Sequence, residues 1–255
     1  MDEQPTRSGT YREPREFDRT SLRENQHRYR ISRDYLGHCC RWGFVRKFID
    51  HSTSVLDVGC GVDLPLLKTL AGGYANTIPS QYTGVDLNKI TKRPAMKWAT
   101  ILDKFNFVEA YRTLPQFDVV TCFELIEHTT RENGDKILQG LRHCVKPGGT
   151  IFLSTPVFKK TKAKNHVHEY GIDELRKAIE YAGLAVVKRY GTFASYHDIK
   201  RVAKPEELAI LDKLNEFLHG DVTAIFMSSI YPDASRNITW VLKHAPSPTD
   251  KPIDV

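Results

Sequence analysis

The 255-residue chain reads as a doubly wound α/β protein on a mainly parallel, seven-stranded sheet. Three observations predict it. Short β-branched runs alternate with stretches of helical periodicity between residues 54 and 191. Strands that alternate with helices pair in parallel, because each crossover returns the chain to the same end of the sheet. The first run, SVLDV, empties into Gly59-Cys60-Gly61, a turn whose missing Cβ atoms let a ligand approach the backbone. A last strand-like run, NITWVLKH, returns after a long helical insertion.

Residues 1–18 hold few apolar side chains and two prolines and are expected to be disordered. Over 19–50 a helical cap is expected, since Tyr35, Leu36, Cys39, Cys40, Trp42, Phe44, Val45 and Phe48 recur at roughly helical spacing. The main domain spans 51–244. Its first strand is SVLDVG, followed by a helix over about 64–70 with Asp63 as N-cap. YTGVDL (82–87) is the second strand, FNFVEA (105–110) the third and FDVVTCF (117–123) the fourth. A helix over 132–144 buries Ile137, Leu138, Leu141 and Cys144 on one face. Pro147, Gly148 and Gly149 stop it before the fifth strand, TIFLSTP. The segment 171–183 is a helix whose Asp173 and Glu174 suit the positive end of its dipole. AVVKRYG is the sixth strand. An insertion over about 191–236 carries a helix at 205–218 and precedes the last strand, and 245–255 is a flexible tail.

A hydrophobic content of 40% with 27% charged residues marks an ordinary globular domain. No apolar run is long enough to span a bilayer, and the polar first residues lack the apolar core of a secretory leader. The expectation is therefore a cytoplasmic location and no membrane partner. Five cysteines, an odd number without a C-x-x-C pair, argue against a disulfide framework or a structural zinc. A net charge of +6 suits an anionic partner but is no nucleic-acid signature by itself.

The strongest chemical signal is VLDVGCGVD (55–63). A dinucleotide loop would need a third glycine, and a phosphate-cradling P-loop a Gly-Lys-Ser/Thr ending; neither is present. Asp57 before the first glycine suits a ligand carrying a positive ammonium or sulfonium. On these residues the chain resembles the class I, Rossmann-like S-adenosylmethionine-dependent methyltransferases. VLDVGCG resembles their glycine motif. Asp86 in TGVDLN resembles the acid ending strand two, and Glu109 in FVEA the acid after strand three, where the family usually has Asp-Ala. FDVVTCFELIEH resembles strand four, and VKPGG (145–149) the turn before strand five. The likeness covers about residues 52–190.

The resemblance implies S-adenosylmethionine as cofactor, with Asp57, Gly59, Cys60, Gly61, Asp86, Leu87, Glu109, Phe123 and Glu124 around it. Asp86 would accept both ribose hydroxyls, and Glu109 would meet the adenine amino group. The glycines would let the methionine part pass close to the backbone.

Glu124, Glu127 and His128 are followed by His166-Val-His-Glu-Tyr170. Three readings stand. The pattern resembles the metal-holding set of small-RNA 3′-terminal 2′-O-methyltransferases, and two carboxylates with two imidazoles can bind Mn²⁺, Fe²⁺ or Zn²⁺. His128 or His166 can instead act as a general base. The blandest reading is a plain pocket wall. The expectation adopted is a wall without metal, with His128 and His166 as the catalytic candidates. The run KKTKAK follows strand five on the pocket rim; Lys159, Lys160, Tyr196 and Arg236 are candidate acceptor-binding residues.

The expected activity is methyl transfer to an oxygen or nitrogen of a small or nucleotide-like, anionic acceptor. One alternative is a nucleic-acid methyltransferase of the RNA 2′-O type, with metal assistance; another is a non-catalytic S-adenosylmethionine-binding scaffold. The chain lacks the Asn/Asp-Pro-Pro-Tyr motif of amino-methylating DNA enzymes, the Pro-Cys nucleophile of cytosine-C5 enzymes and the double-glutamate hairpin of protein arginine methyltransferases.

Overall fold

The computed structural model describes residues 33–72, 78–159, 161–218 and 220–246. The expectations for 1–18, for most of the 19–50 cap before Arg33, for Lys160 and for most of the tail lie outside them.

Seven strands form one sheet: β1 (Ser54–Val58), β2 (Gln81–Asp86), β3 (Ala99–Asp103), β4 (Phe117–Phe123), β5 (Val145–Pro156), β6 (Leu184–Phe193) and β7 (Asn237–His244). Their order is β3-β2-β1-β4-β5-β7-β6. β7 runs antiparallel to β5 and β6, and the remaining pairs are parallel. The chain winds outward from β1 to β3, then restarts at β4 on the other side of β1. That reversal opens a crevice at the carboxyl ends of β1 and β4, where α/β sheets take their ligands.

The helices are α1 (Arg33–Val45), α2 (Pro65–Ala71), α3 (Phe107–Ala110), α4 (Arg131–Cys144), α5 (Ile172–Tyr181), α6 (Tyr196–Lys200), α7 (Pro205–Asn215) and α8 (Gly220–Ser228). On one face of the sheet α4 and α5 bury Ile137, Leu138, Leu141, Leu175 and Ile179. On the other face Trp42 and Val45 of α1 and Leu66, Leu67 and Leu70 of α2 pack over Val55 and Phe152. Each fully buried aliphatic side chain contributes about 1.5–3 kcal/mol, so both layers are needed to hold the sheet.

Four local expectations are corrected. FNFVEA is not a strand: the Asn106 carbonyl accepts the amides of Glu109 and Ala110 and closes a helical turn. The third strand is ATILD, whose residues are at most half-buried, so no apolar alternation announces it. Asp63 does not cap α2; Leu64 does, with φ of +49°, and Pro65 opens the helix with its fixed φ. β5 begins at once after α4: Val145 pairs with Phe117, the chain bulges through left-handed Gly148, and pairing resumes between Thr150 and Val119. The insertion holds three helices rather than one, gathered on a small core of Ala194, Ile199, Leu211 and Ala224.

Candidate active site

A cavity of about 420 Å³ opens at the carboxyl ends of β1, β2 and β4. Gly59 and Gly61 lie on its wall with φ of +72° and +70°, a left-handed backbone that favours glycine. A Cβ on Gly59 would come within 3.0 Å of the Leu125 side chain, so the turn has no room for one. Asp86 closes β2 on the same wall. Its Oδ2 accepts the Gly61 amide at 2.9 Å, and its Oδ1 accepts the Asn88 amide and side-chain amide at 2.8 and 3.0 Å. A carboxylate has about four acceptor positions and three are taken, so Asp86 is held in place with one left to accept a hydroxyl. Leu87, 68% exposed, stands beside it, and Phe105, Phe107 and Val108 line the opposite side.

Several expected cofactor residues sit elsewhere. Asp57 is buried beneath the glycine turn, not on the cavity wall. It accepts the Tyr82 hydroxyl at 2.6 Å and the Thr121 hydroxyl at 2.7 Å, and burial holds its carboxyl above the usual range. It thereby ties β1 to β2 and β4. Cys60 is buried too; burial and the nearby carboxylates raise its thiol far above the ordinary value, so it is no nucleophile. Glu109 is exposed on α3 and off the cavity, because the segment expected to be a strand is helical. Phe123 faces α1, with the Arg41 guanidinium 4.9 Å from its ring centre.

Glu124 is a junction. Its φ of +51° is uncommon for a residue with a Cβ. The conformation aims its carboxylate back over the sheet. There Oε1 accepts from Arg41 Nη1 and from Ser154 Oγ, both at 2.8 Å, while Oε2 accepts from Asn237 Nδ2 at 2.5 Å. Arg41 also donates to Ser154 Oγ at 2.8 Å and to His38 Nδ1 at 2.5 Å. Burial, then the Arg41 charge, holds His38 well below the usual imidazole range, so it serves as a neutral acceptor. No sequence motif marks Arg41, Ser154 or Asn237, because each comes from a different element.

The histidine cluster also forms. His128 lies on the cavity wall, with Nδ1 donating to the Asn165 carbonyl at 3.1 Å. That bond leaves Nε2 with its lone pair. The His166 ring is 4.9 Å away, nearly perpendicular, and its Nδ1 meets Glu169 Oε1 at 2.5 Å. Glu127 is buried; burial first, then the Glu124 charge, raises its carboxyl well above the usual range. Its backbone oxygen accepts the Val167 and His168 amides at 2.8 and 3.1 Å, which pins the loop bearing His166 to the turn that follows β4. One ligand atom from each of Glu127, His128 and His166 lies within 4.8 Å of the others, a spacing three donors to a cation would need.

The described rim candidates, Lys159, Tyr196 and Arg236, do not line this cavity. Lys159 donates to the Ala234 carbonyl at 3.4 Å, Tyr196 bonds Asp212, and the Arg236 carbonyl accepts the Val157 amide at 2.7 Å. All three tie the insertion together or to β5.

The family described as methyltransferase domain matches residues 43–189. The ubiquinone biosynthesis O-methyltransferase of Shewanella halifaxensis is 31% identical over 183 residues, covering 69% of this chain and 68% of that protein. Its counterpart in Dechloromonas aromatica is 32% identical over 167 residues, covering 61% of this chain and 60% of that protein. A SAM-dependent methyltransferase from Archaeoglobus fulgidus shares the fold with a TM-score of 0.56 at 18% identity, covering 88% of this chain and 100% of that one. The cyclase SpnF does so with a TM-score of 0.55 at 16% identity, covering 90% and 84%. Such distant structures show architecture alone.

Glycine turn, acid at the end of β2, sheet order and sequence agree: the chain belongs to the class I S-adenosylmethionine-dependent methyltransferases. It is a methyltransferase, and S-adenosylmethionine is its cofactor. The scaffold alternative falls with that. Among the described residues no helix is long and apolar enough to cross a membrane.

Proposed function

We propose that this enzyme methylates an oxygen of a small, anionic acceptor in the cytoplasm, with His128 as the general base. The observation that carries the reading is the His128 ring itself. It stands on the cavity wall with Nδ1 engaged by the Asn165 carbonyl and Nε2 left to take a proton. Asp86 would hold the ribose, Gly59 and Gly61 the methionine part, and Phe107 and Val108 the adenine. When bound, the cofactor would supply a methyl on a sulfonium, open to displacement by the acceptor oxygen with the carbon–sulfur electron pair left on sulfur. His128 Nε2 receives the hydroxyl proton, and Glu169 fixes the neighbouring His166. Relatives named O-methyltransferases support oxygen over nitrogen.

The test uses methyl-labelled S-adenosylmethionine with separate pools of small metabolites, RNA, DNA and protein, each with Mn²⁺ and with a chelator. Label should enter the small-molecule pool, as a methyl ether, at equal rates in both conditions. Label confined to RNA or protein would refute the reading. A metal-assisted variant is favoured by the compact Glu127, His128 and His166 set. Under that variant these residues hold a divalent cation, and the chelator stops transfer.

A further inference from the structure

Residues 202–230 hold seven of the fourteen large apolar side chains that stand exposed among the described residues. Ile210, Leu214, Phe217 and Leu218 fall at i, i+4, i+7 and i+8, so they form one stripe along α7 and the turn that continues it. The Leu218 amide donates to the Leu214 carbonyl at 3.0 Å, which carries the helical path past Asn215. Phe226 and Ile230 are exposed at the end of α8, which packs beside α7.

A lone subunit leaves this surface uncovered. α7 spans eleven residues and fully buries Leu211 alone. A helix of that length is marginal in water and owes its stability to a buried apolar face. The rest of its apolar face looks outward: Phe217 is 80% exposed and Ile210 61%. A buried phenylalanine covers about 150–250 Å². Two of them with four aliphatic side chains approach the order of the roughly 800 Å² that each partner brings to a standard interface.

Charge and pattern select the partner. The chain carries +6 overall, yet residues 191–236 hold seven Asp and Glu against five Lys and Arg, a net −2. Anionic lipid headgroups and nucleic-acid phosphates would meet like charge here. A second copy offers an apolar match instead. Among the described residues, no helix or strand outside the insertion exposes more than one large apolar side chain. The counterpart of the patch on a second copy is therefore the same patch. A surface that pairs with itself gives a closed, two-fold dimer.

We propose that the α7 stripe, with Phe226 and Ile230, is the seam of a two-fold dimer of this chain. The inference goes beyond the methyl-transfer reading above and does not depend on it. The seam is apolar, and the exposed carboxylates of Asp212 and Glu216 stand on the same helix path. Salt therefore tightens the pairing, because it screens the repulsion between two negative insertions and leaves the apolar contact intact. α8 also packs against α1, so the dimer braces the insertion on the main domain.

The test is sedimentation equilibrium of the full chain at about 1–100 μM, a span in which an interface of this size and modest affinity assembles. The chain should sediment as a dimer in the upper part of that range, with a thermal midpoint that rises with concentration. Phe217→Asp should weaken pairing about a hundredfold, since the substitution enters a two-fold seam twice. Ile210→Asp should act in the same direction. Tyr181→Asp, at a position 82% exposed but alone on α5, should leave pairing unchanged. Wild-type S-adenosylhomocysteine affinity in the variants would show that each still folds. Raising salt from about 0.05 to 0.5 M should tighten the dimer. A monomer throughout the range, a dimer indifferent to both insertion variants, or a dimer loosened by salt would each overturn the proposal. So would a monomer that floats with anionic vesicles or shifts with RNA, since the patch would then belong to that partner.

Discussion

Gly61 and Asp86, 25 residues apart, meet through one hydrogen bond on the cofactor side of Glu124. On the other side Glu124 meets Arg41 across 83 residues and Asn237 across 113. The first pairing joins two adjacent parallel strands through their terminal turns. The second draws on the first described helix, the fifth strand and the strand after the insertion. The cofactor side is a local device repeated wherever this strand-turn-helix unit occurs. The Glu124 junction is an assembly, and its chemistry depends on which remote elements the sheet order brings alongside. The contrast separates a contact made by one loop and one acid from a contact that exists only because remote elements converge.

Variants can break or sharpen that contrast. The largest effect should come from Arg41→Met. The Arg41 side chain is only 2% exposed, so its loss leaves Glu124 without its charge partner, at a cost of about 3 kcal/mol or more. Urea unfolding measures this, and the double variant Arg41→Met/Glu124→Gln should recover part of the loss. An unchanged unfolding midpoint in the single variant would deny the junction its structural role.

Asp86→Ala should act on the cofactor side alone. One hydrogen bond to a charged acceptor at about 1.5–3 kcal/mol predicts about ten- to a hundredfold weaker S-adenosylmethionine binding by calorimetry. Wild-type affinity would remove Asp86 from the ribose site.

His128→Ala should lower kcat about a hundredfold with little change in cofactor affinity, as expected for a lost general base. His166→Ala should cost less if His166 only supports the site. Equal losses accompanied by chelator sensitivity would favour the metal-assisted variant.

The smallest effect should be a pH dependence of stability from His38. Its folded pKa is depressed, by burial first and then by Arg41. Above the ordinary value of about 6.5 the group is neutral in both states, and its contribution is complete. As pH falls below that value the unfolded chain takes up a proton that the folded chain refuses. Stability then falls by up to about 1.4 kcal/mol per pH unit until the lower folded pKa is reached. His38→Gln keeps an acceptor for Arg41 without titrating, so its unfolding free energy should be flatter between pH 6.5 and 5. Identical slopes in the two proteins would show that His38 charges freely in the fold.

The legible parts of the sequence share a cause. Val55, Leu56 and Val58 with Gly59 and Gly61 specify a buried strand and a left-handed turn through their own chemistry, so no distant partner is needed to read them. Phe105 to Ala110 misleads because alternating aromatic and polar residues mimic a strand, while the Asn106 carbonyl closes a helical turn that buries Phe107. Asp57 misleads in another way. Its place in the motif is plain, but Tyr82 and Thr121, which occupy its carboxylate, come from neighbouring strands. Nothing in the run HCCRWG distinguishes Arg41 from any surface arginine until α1 is laid across the sheet.

By itself the sequence determined the alternation of strands and helices, the glycine turn, the acid at the end of β2 and the spacing of Glu124, Glu127 and His128. These are properties of short segments, governed by backbone conformation, propensity and hydrophobic period. Only the tertiary structure decided that Glu124 would turn its carboxylate to Arg41, Ser154 and Asn237, and that His166 would stand beside His128. Those outcomes follow from the sheet order, because β7 enters antiparallel between β5 and β6 and delivers Asn237 and Thr239 to the edge where β4 ends. Contacts between segments a hundred residues apart are fixed by that packing and leave no local pattern to read.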